Sequence, residues 1–142
     1  MFVEQIMNRD LITVEPADSV EQAVGLLSRR GVRHLLVVKK NRLVGIISDR
    51  DIKRAMDPRQ TKKKLMGIGG LYFMLEPILV QEIMTSNPVT ISPNTSVKQA
   101  AYIMVERRFG ALPVVQDGKP VGIVTETDLL RCFAEEAEPA ES

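Results

Sequence analysis

The sequence predicts an α/β (α+β) fold of two like half-modules, each a small sheet with covering helices, packed as a pseudo-twofold pair. Three observations carry that expectation. An offset of 77 positions lays residues 3–56 on residues 80–133 without insertion or deletion, and 18 of the 54 aligned positions are identical. Within each copy, short β-branched runs alternate with stretches whose apolar residues recur at three-four spacing. Each copy is also small, about 55 residues and near the lower limit for independent folding, so the two are expected to share a core and to leave related clefts at their seam. The chain is accordingly divided into a first repeat (1–57), an apolar connector (58–79), a second repeat (80–134) and an acidic tail (135–142) expected to be disordered.

Each copy opens with an extended piece, residues 11–16 or 88–93, which Pro16 or Pro93 prevents from continuing as a central strand. A helix follows. Its start is marked by Ser19-Val20-Glu21-Gln22 or Ser96-Val97-Lys98-Gln99, a Ser-x-x-Gln capping box in which hydroxyl and amide satisfy each other's backbone donors. Val20, Ala23, Val24 and Leu27, and in the second copy Val97, Ala100, Ala101 and Met104, then mark one buried helix face. Two short strands come next, 35–38 with 43–47 and 112–115 with 121–124. Asp117-Gly118 is a strong hairpin turn because both positions need positive φ, and Lys40-Asn41 is a weaker version of it. A polar stretch then leads into a closing helix carrying Ile52, Ala55 and Met56, or Leu129, Leu130 and Phe133.

The connector is opened by Asp57-Pro58, is basic at Lys62, Lys63 and Lys64, and is apolar from 65 to 75. Its glycines at 67, 69 and 70 are too numerous for a stable isolated helix, so it is expected to be a packed connector or an element that folds onto the module or a partner.

Composition excludes several classes. With 44% hydrophobic and 26% charged residues and a formal net charge of +1, the chain lacks the basic excess of a dedicated nucleic-acid binder. The basic pairs Arg29-Arg30 and Arg107-Arg108 and the triple lysine leave only a local patch for such a role. The longest uncharged run, residues 65–75, has 11 residues, whereas a bilayer span takes about 20. Glu4 and Asp10, with no apolar block between them, argue against a signal peptide. A single cysteine, Cys132, sits in an apolar stretch and reads as an inert core or interface residue in a reducing cytoplasm. One histidine, His34, with no second ligand at metal-binding spacing gives no metal site, and neither a Walker loop nor a Gly-x-Ser-x-Gly nucleophile is present. No catalytic residue is assigned, and no enzyme activity is expected.

The tandem architecture, with Gly45-Ile46-Ile47-Ser48-Asp49-Arg50-Asp51 matched by Gly122-Ile123-Val124-Thr125-Glu126-Thr127-Asp128, resembles the cystathionine-β-synthase (CBS) domain pair. The likeness covers residues 1 to 134. It is also similar to the bacterial AcuB-type acetoin-utilisation subgroup, through the opening Ile6-Met7, the apolar connector and the Arg33-His34 pair. Some members of that subgroup carry an added ACT domain; this chain stops short of one, and functions residing there are not implied. The resemblance implies a regulatory module that binds AMP, ADP, ATP or S-adenosylmethionine in clefts between the repeats, with no obligatory cofactor.

At Ser48-x-x-Asp51 and Thr125-x-x-Asp128 the acid follows a hydroxyl residue by three positions at a strand-to-helix junction. A carboxylate there suits the paired hydroxyls of a ribose, and the hydroxyl residue with the backbone donors of the helix start suits a phosphate. The same pattern is also an ordinary helix cap; recurrence in both copies and the resemblance favour binding. Thr13 and Thr90 hold the positions where the family presents backbone groups to an adenine, or else simply pack as strand residues. Arg33 and His34 stand where relatives place cations against phosphates, or else are surface polar residues; the second copy has Gly110-Ala111 there. Unequal sites are expected, one using Thr90, Thr125 and Asp128 with Arg33 and His34, and a weaker one using Thr13, Ser48 and Asp51. The apolar Ile52, Met56, Leu129, Leu130 and Phe133 are expected to invite a second chain as a homodimer. The rival reading is a docking module with vestigial nucleotide sites, working through residues 62–75 on an unknown protein partner.

Overall fold

The computed structural model describes residues 1–57, 59, 65–68, 71–74 and 77–136. A short 3-10 turn, Val3–Gln5, is followed by β1 (Thr13–Val14), α1 (Val20–Arg30), β2 (His34–Lys39), β3 (Arg42–Ser48) and α2 (Asp49–Ala55). Then come β4 (Leu65–Ile68), β5 (Leu71–Met74), α3 (Val80–Ile83), β6 (Thr85–Ser86), α4 (Val97–Arg107), β7 (Ala111–Gln116), β8 (Lys119–Thr125) and α5 (Glu126–Glu136).

Two compact units are present, and each draws on both halves of the sequence. One comprises Ile12–Lys40 with Val44–Asn87; the other comprises Met1–Leu11, Asn41–Leu43 and Pro88–Ser142. The opening segment of each copy thus belongs to the unit built on the rest of the other. In the first-copy unit the sheet order is β1-β2-β3-β6. Strand β1 runs parallel to β2, with Thr13 opposite Leu36, and β6 runs antiparallel to β3, with Gly45 opposite Ser86. In the second-copy unit β7 and β8 form an antiparallel ladder that sets Ala111 opposite Thr125. Its flanks are single bridges, Ile91 to Val114 and Asn8 to Ile123.

That difference at the first strand has a covalent cause. In the first copy the Leu36 N–H donates to the Ile12 carbonyl at 3.2 Å. The equivalent residue of the second copy is Pro113, which has no N–H to give. The extended piece expected at 88–93 is therefore reduced to the one bridge at Ile91, whose N–H reaches the Pro113 carbonyl at 3.0 Å.

Local signals otherwise act as the residue types dictate. The Ser19 hydroxyl accepts from the Gln22 N–H at 3.1 Å while the Gln22 side chain accepts from the Ser19 N–H at 2.7 Å. Ahead of α4 the hydroxyl half of the box forms, Ser96 accepting from the Gln99 N–H at 3.0 Å. Both hairpins turn through two left-handed residues, Lys40 and Asn41 at φ 53° and 65°, Asp117 and Gly118 at 55° and 79°. The turn at Lys40-Asn41 is thus the same as the one with the stronger signal. Within the connector β4 and β5 pair antiparallel from Leu65 opposite Met74 to Ile68 opposite Leu71. Lys62, Lys63, Lys64, Gly69, Gly70 and residues 137–142 lie outside the described residues, while Glu135 and Glu136 are still helical in α5.

Each core is closed by the borrowed segment. Val14, Val20, Ala23, Leu27, Leu35, Val37, Ile47 and Ile52 are sealed by Ile78 and Val80, and Ile91, Ala100, Met104, Leu112, Val114 and Val124 by Val3 and Met7. Two glycines make room for the seal. A Cβ at Gly122 would lie 2.6 Å from the Met7 sulfur and 3.2 Å from the Asn8 carbonyl oxygen; one at Gly45 would lie 2.6 Å from the Met84 sulfur and 3.0 Å from the Thr85 carbonyl oxygen. Of the five apolar residues expected to lie open to a second chain, two are turned inward. Ile52 is in the first core and Leu129 packs against the second, whereas Met56, Leu130 and Phe133 are 49%, 68% and 70% exposed.

Val3→Ala is the test of this interleaving. Val3 is fully buried against the second copy, so its truncation is expected to cost about 1.5–3 kcal/mol in urea unfolding, far more than the near-zero effect of an unattached leading segment.

Candidate functional site

The two strand-to-helix junctions are built alike. At the end of β3 one Asp51 carboxylate oxygen, Oδ2, accepts from the Ser48 N–H at 2.9 Å and from the Ser48 hydroxyl at 3.0 Å, and the Asp51 N–H donates back to the Ser48 Oγ at 3.1 Å. At the end of β8 Asp128 Oδ2 takes the Thr125 N–H at 2.8 Å and the Thr125 hydroxyl at 3.0 Å, and the Asp128 N–H returns to Thr125 Oγ1 at 3.3 Å. The capping role that the sequence shares with a binding role is thus formed in both copies.

Capping uses one oxygen of each acid. The other, Oδ1, faces a guanidinium on the next turn, Arg54 Nη1 at 4.0 Å from Asp51 and Arg131 Nη1 at 3.5 Å from Asp128. The acid side chains are only 20% and 16% exposed, whereas the two arginines are 63% and 61% exposed. Such wet pairs are held by little energy, so a better partner can take Oδ1. The carboxylates are rigid, half-shielded acceptors rather than solvated surface charges. Sequence reasoning passed over Arg54 and Arg131; the available signal was that this arginine is among the residues identical in both copies, three positions after the acid.

The backbone donors expected to meet a phosphate are partly spoken for. The Asp49 N–H donates to the Arg33 carbonyl and the Glu126 N–H to the Gly110 carbonyl, both at 3.0 Å, while the amides of Asp51 and Asp128 serve their caps. The Asp49 bond also sets Arg33 and His34, at the start of β2, beside the junction of their own copy. Arg33 is exposed and His34 half-buried.

Thr13 is exposed in β1, and two strand spacings, about 10 Å, separate its strand from β3 and Ser48. A shallow depression of about 610 Å³ along β1 and α1 is lined by Thr13, Val14, Gln22, Gly25 and Arg29 among others, and does not include Ser48 or Asp51. Thr90 is exposed just ahead of the Ile91 bridge, the same place relative to β7 and β8. Among the described residues no cluster of three or more His, Cys, Asp or Glu side chains is placed to hold a metal, and no helix is long and apolar enough to cross a membrane.

A duplicated strand-helix-hairpin-helix unit with an acid locked at each junction is the architecture of the CBS domain pair, and the CBS domain model matches residues 3–58 and 80–135. This chain belongs to the CBS domain family, as a tandem pair. It is 35% identical over 137 residues to an inosine-5'-monophosphate dehydrogenase of Korarchaeum cryptofilum, matching 96% of this chain but 24% of that protein. With a CBS domain-containing protein of Dictyostelium discoideum it shares 32% identity over 145 residues, 98% of this chain and 95% of the relative. The chain thus spans about a quarter of the first relative's length and nearly all of the second's. Among solved structures, an acetoin utilization protein (AcuB) from Vibrio cholerae superposes with a TM-score of 0.82 at 26% identity, covering 100% of this chain and 98% of that one. The CBS domain pair of protein MJ0100, solved with 5'-methylthioadenosine and S-adenosyl-L-methionine, gives 0.80 at 28% identity over 96% of this chain and 98% of that one. CBSX2 of Arabidopsis thaliana, solved with AMP, gives 0.77 at 30% identity over 95% of this chain and 97% of that one.

If the Thr125 hydroxyl caps α5 as described, Thr125→Ala should lower unfolding stability by about 0.5–2 kcal/mol, and Thr125→Ser should restore most of the loss. Equal stability of all three chains in a denaturant titration would show that the cap carries no weight.

Proposed function

We propose that this CBS pair is a regulatory module that binds adenosine ligands, of the AMP, ADP or ATP class or S-adenosylmethionine, and signals by a change of conformation rather than by catalysis. The observation that carries this reading is the duplicated junction: a carboxylate held by its own cap, with Oδ1 facing an exposed arginine, repeated at Asp51 and Asp128. A ribose diol is a fitting partner, since its two hydroxyls can donate to one carboxylate, a charge-assisted contact worth about 1.5–3 kcal/mol. Relatives of the same fold solved with AMP, S-adenosylmethionine and methylthioadenosine support the adenosine class.

The stronger site is assigned to Thr90, Thr125 and Asp128, with Arg33 and His34 supplying positive charge to phosphates. The weaker one is assigned to Thr13, Ser48 and Asp51. Thr13 and Thr90 stand one strand outward from β2 and β7, so their backbone would edge the base while the acid two strands away holds the sugar. Arg54 and Arg131, released from the acids by the diol, become free to meet phosphate. The module is read as a homodimer in a reducing cytoplasm, where the lone Cys132, 8% exposed, stays a thiol.

Isothermal titration of ligand-free protein with AMP, ATP and S-adenosylmethionine tests the reading, and saturable heat is expected with at least one of them. Asp128→Asn keeps a carbonyl acceptor for the Thr125 cap but loses the charge, so affinity should fall about tenfold or more while the melting temperature changes little. No heat with any ligand would refute adenosine binding; unchanged affinity in the variant would refute the ribose contact.

A further inference from the structure

The β4-β5 hairpin departs from the other strands of its unit in both pairing and composition. Among the described strands β4 and β5 pair only with each other. Cross-strand partners share a face, so the register assigns Leu65, Tyr72 and Met74 to one face of the ribbon and Ile68, Leu71 and Phe73 to the other. Neither face has a charged position, for residues 65–75 include no Asp, Glu, Lys or Arg. A ribbon that packs on its own protein is ordinarily apolar on one face and polar on the other. Here the module can cover one face. The second calls for an apolar surface from outside, since a lone two-stranded hairpin is marginal in water.

The chain leading into the ribbon is strongly basic. Residues 59–64 hold four of the 19 Lys and Arg residues and none of the 18 acids, so the rest of the chain is net negative. The charge begins on α2. Arg50, Lys53, Arg54 and Arg59 are exposed and belong to the same unit as the hairpin, whereas the two acids between residues 50 and 64, Asp51 and Asp57, are half-buried. Cations followed at once by an uncharged ribbon match the layering of an anionic bilayer, in which a charged headgroup plane lies over an apolar one.

We propose that the β4-β5 hairpin docks this chain on anionic membrane surfaces, its outer face lying among headgroups and upper acyl chains while the neighbouring cations meet the lipid charges. Four residues per strand at about 3.4 Å each reach roughly 13 Å, against a hydrocarbon core of about 30 Å, so the ribbon lies on one leaflet and does not span. Depth is limited as well. The outer backbone groups of both strands have no partner among the described strands, which holds the ribbon where water still reaches them. Tyrosine suits that depth, having an apolar ring and a polar tip. Other occupants fit less well: stacking on a second copy gives the basic run no counter-charge, and a nucleic acid leaves the aliphatic positions wet. The inference is independent of the adenosine reading.

Vesicle co-sedimentation of the full chain tests it. The wild type should pellet with vesicles of phosphatidylcholine and phosphatidylserine, about tenfold or more weakly with phosphatidylcholine alone, and should be released as salt is raised. Leu71→Asp and Tyr72→Asp place a charge on opposite faces, so one of them strikes the face that the module leaves open. That variant should keep the wild-type melting temperature and lose vesicle affinity by about tenfold or more. No pelleting with either vesicle, equal pelleting with both, or binding indifferent to both substitutions would overturn the proposal. Unfolding of both variants would do the same, by putting both faces inside the protein. A changed monomer–dimer equilibrium in the folded variant, with vesicle binding intact, would overturn it in favour of a second copy.

Discussion

A repeat of about 55 residues is near the lower limit for closing a hydrophobic core unaided, and this chain meets the constraint by exchanging the opening segments of its two copies. Val3 and Met7 complete the core of the second copy, and Ile78 and Val80 complete that of the first. The exchange works only because the strand it lies on is bare at one residue: a side chain at Gly45 or Gly122 would occupy the volume of a methionine and press on a backbone carbonyl. The position of β3 and β8 follows from that seal, and the position of the acid at the end of each strand follows from the strand.

The junction itself shows how a helix cap can use one carboxylate oxygen and leave the other outside the cap. The cap consumes Oδ2 and fixes the carboxylate's rotamer, so Oδ1 is oriented before any ligand arrives. Preorganisation of this kind lowers the ordering cost of binding. The exposed arginine one turn on keeps the free oxygen from standing as a naked charge, yet holds it loosely enough to yield it.

Divergence between the copies is where the molecule becomes particular. Pro113 deletes one ladder bond and with it a strand; Arg33-His34 against Gly110-Ala111 sets cationic residues ahead of β2 where β7 has small ones; Gly25 against Tyr102 makes a recess of one helix and a projection of the other. A duplicated module with identical copies would offer only self-matching surfaces.

Much of this was legible in one dimension. The offset of 77, the Ser-x-x-Gln boxes, the hairpin turn at Asp117-Gly118 and the repeated hydroxyl-x-x-acid spacing are all local or periodic signals, and local chemistry acts on neighbours along the chain. They determined the duplicated α/β fold, its helices and hairpins, and which acids stand at the strand ends. Other features needed the third dimension. That Val3 belongs to the second core, that Ile52 and Leu129 turn inward while Leu130 and Phe133 turn out, that the Asp49 and Glu126 amides are already taken by the Arg33 and Gly110 carbonyls, and that Gly25 has nothing over it, are facts about residues far apart in sequence. A pattern of residue types states what each side chain prefers. Which of those preferences is satisfied, and by what, is decided only when distant segments compete for the same space.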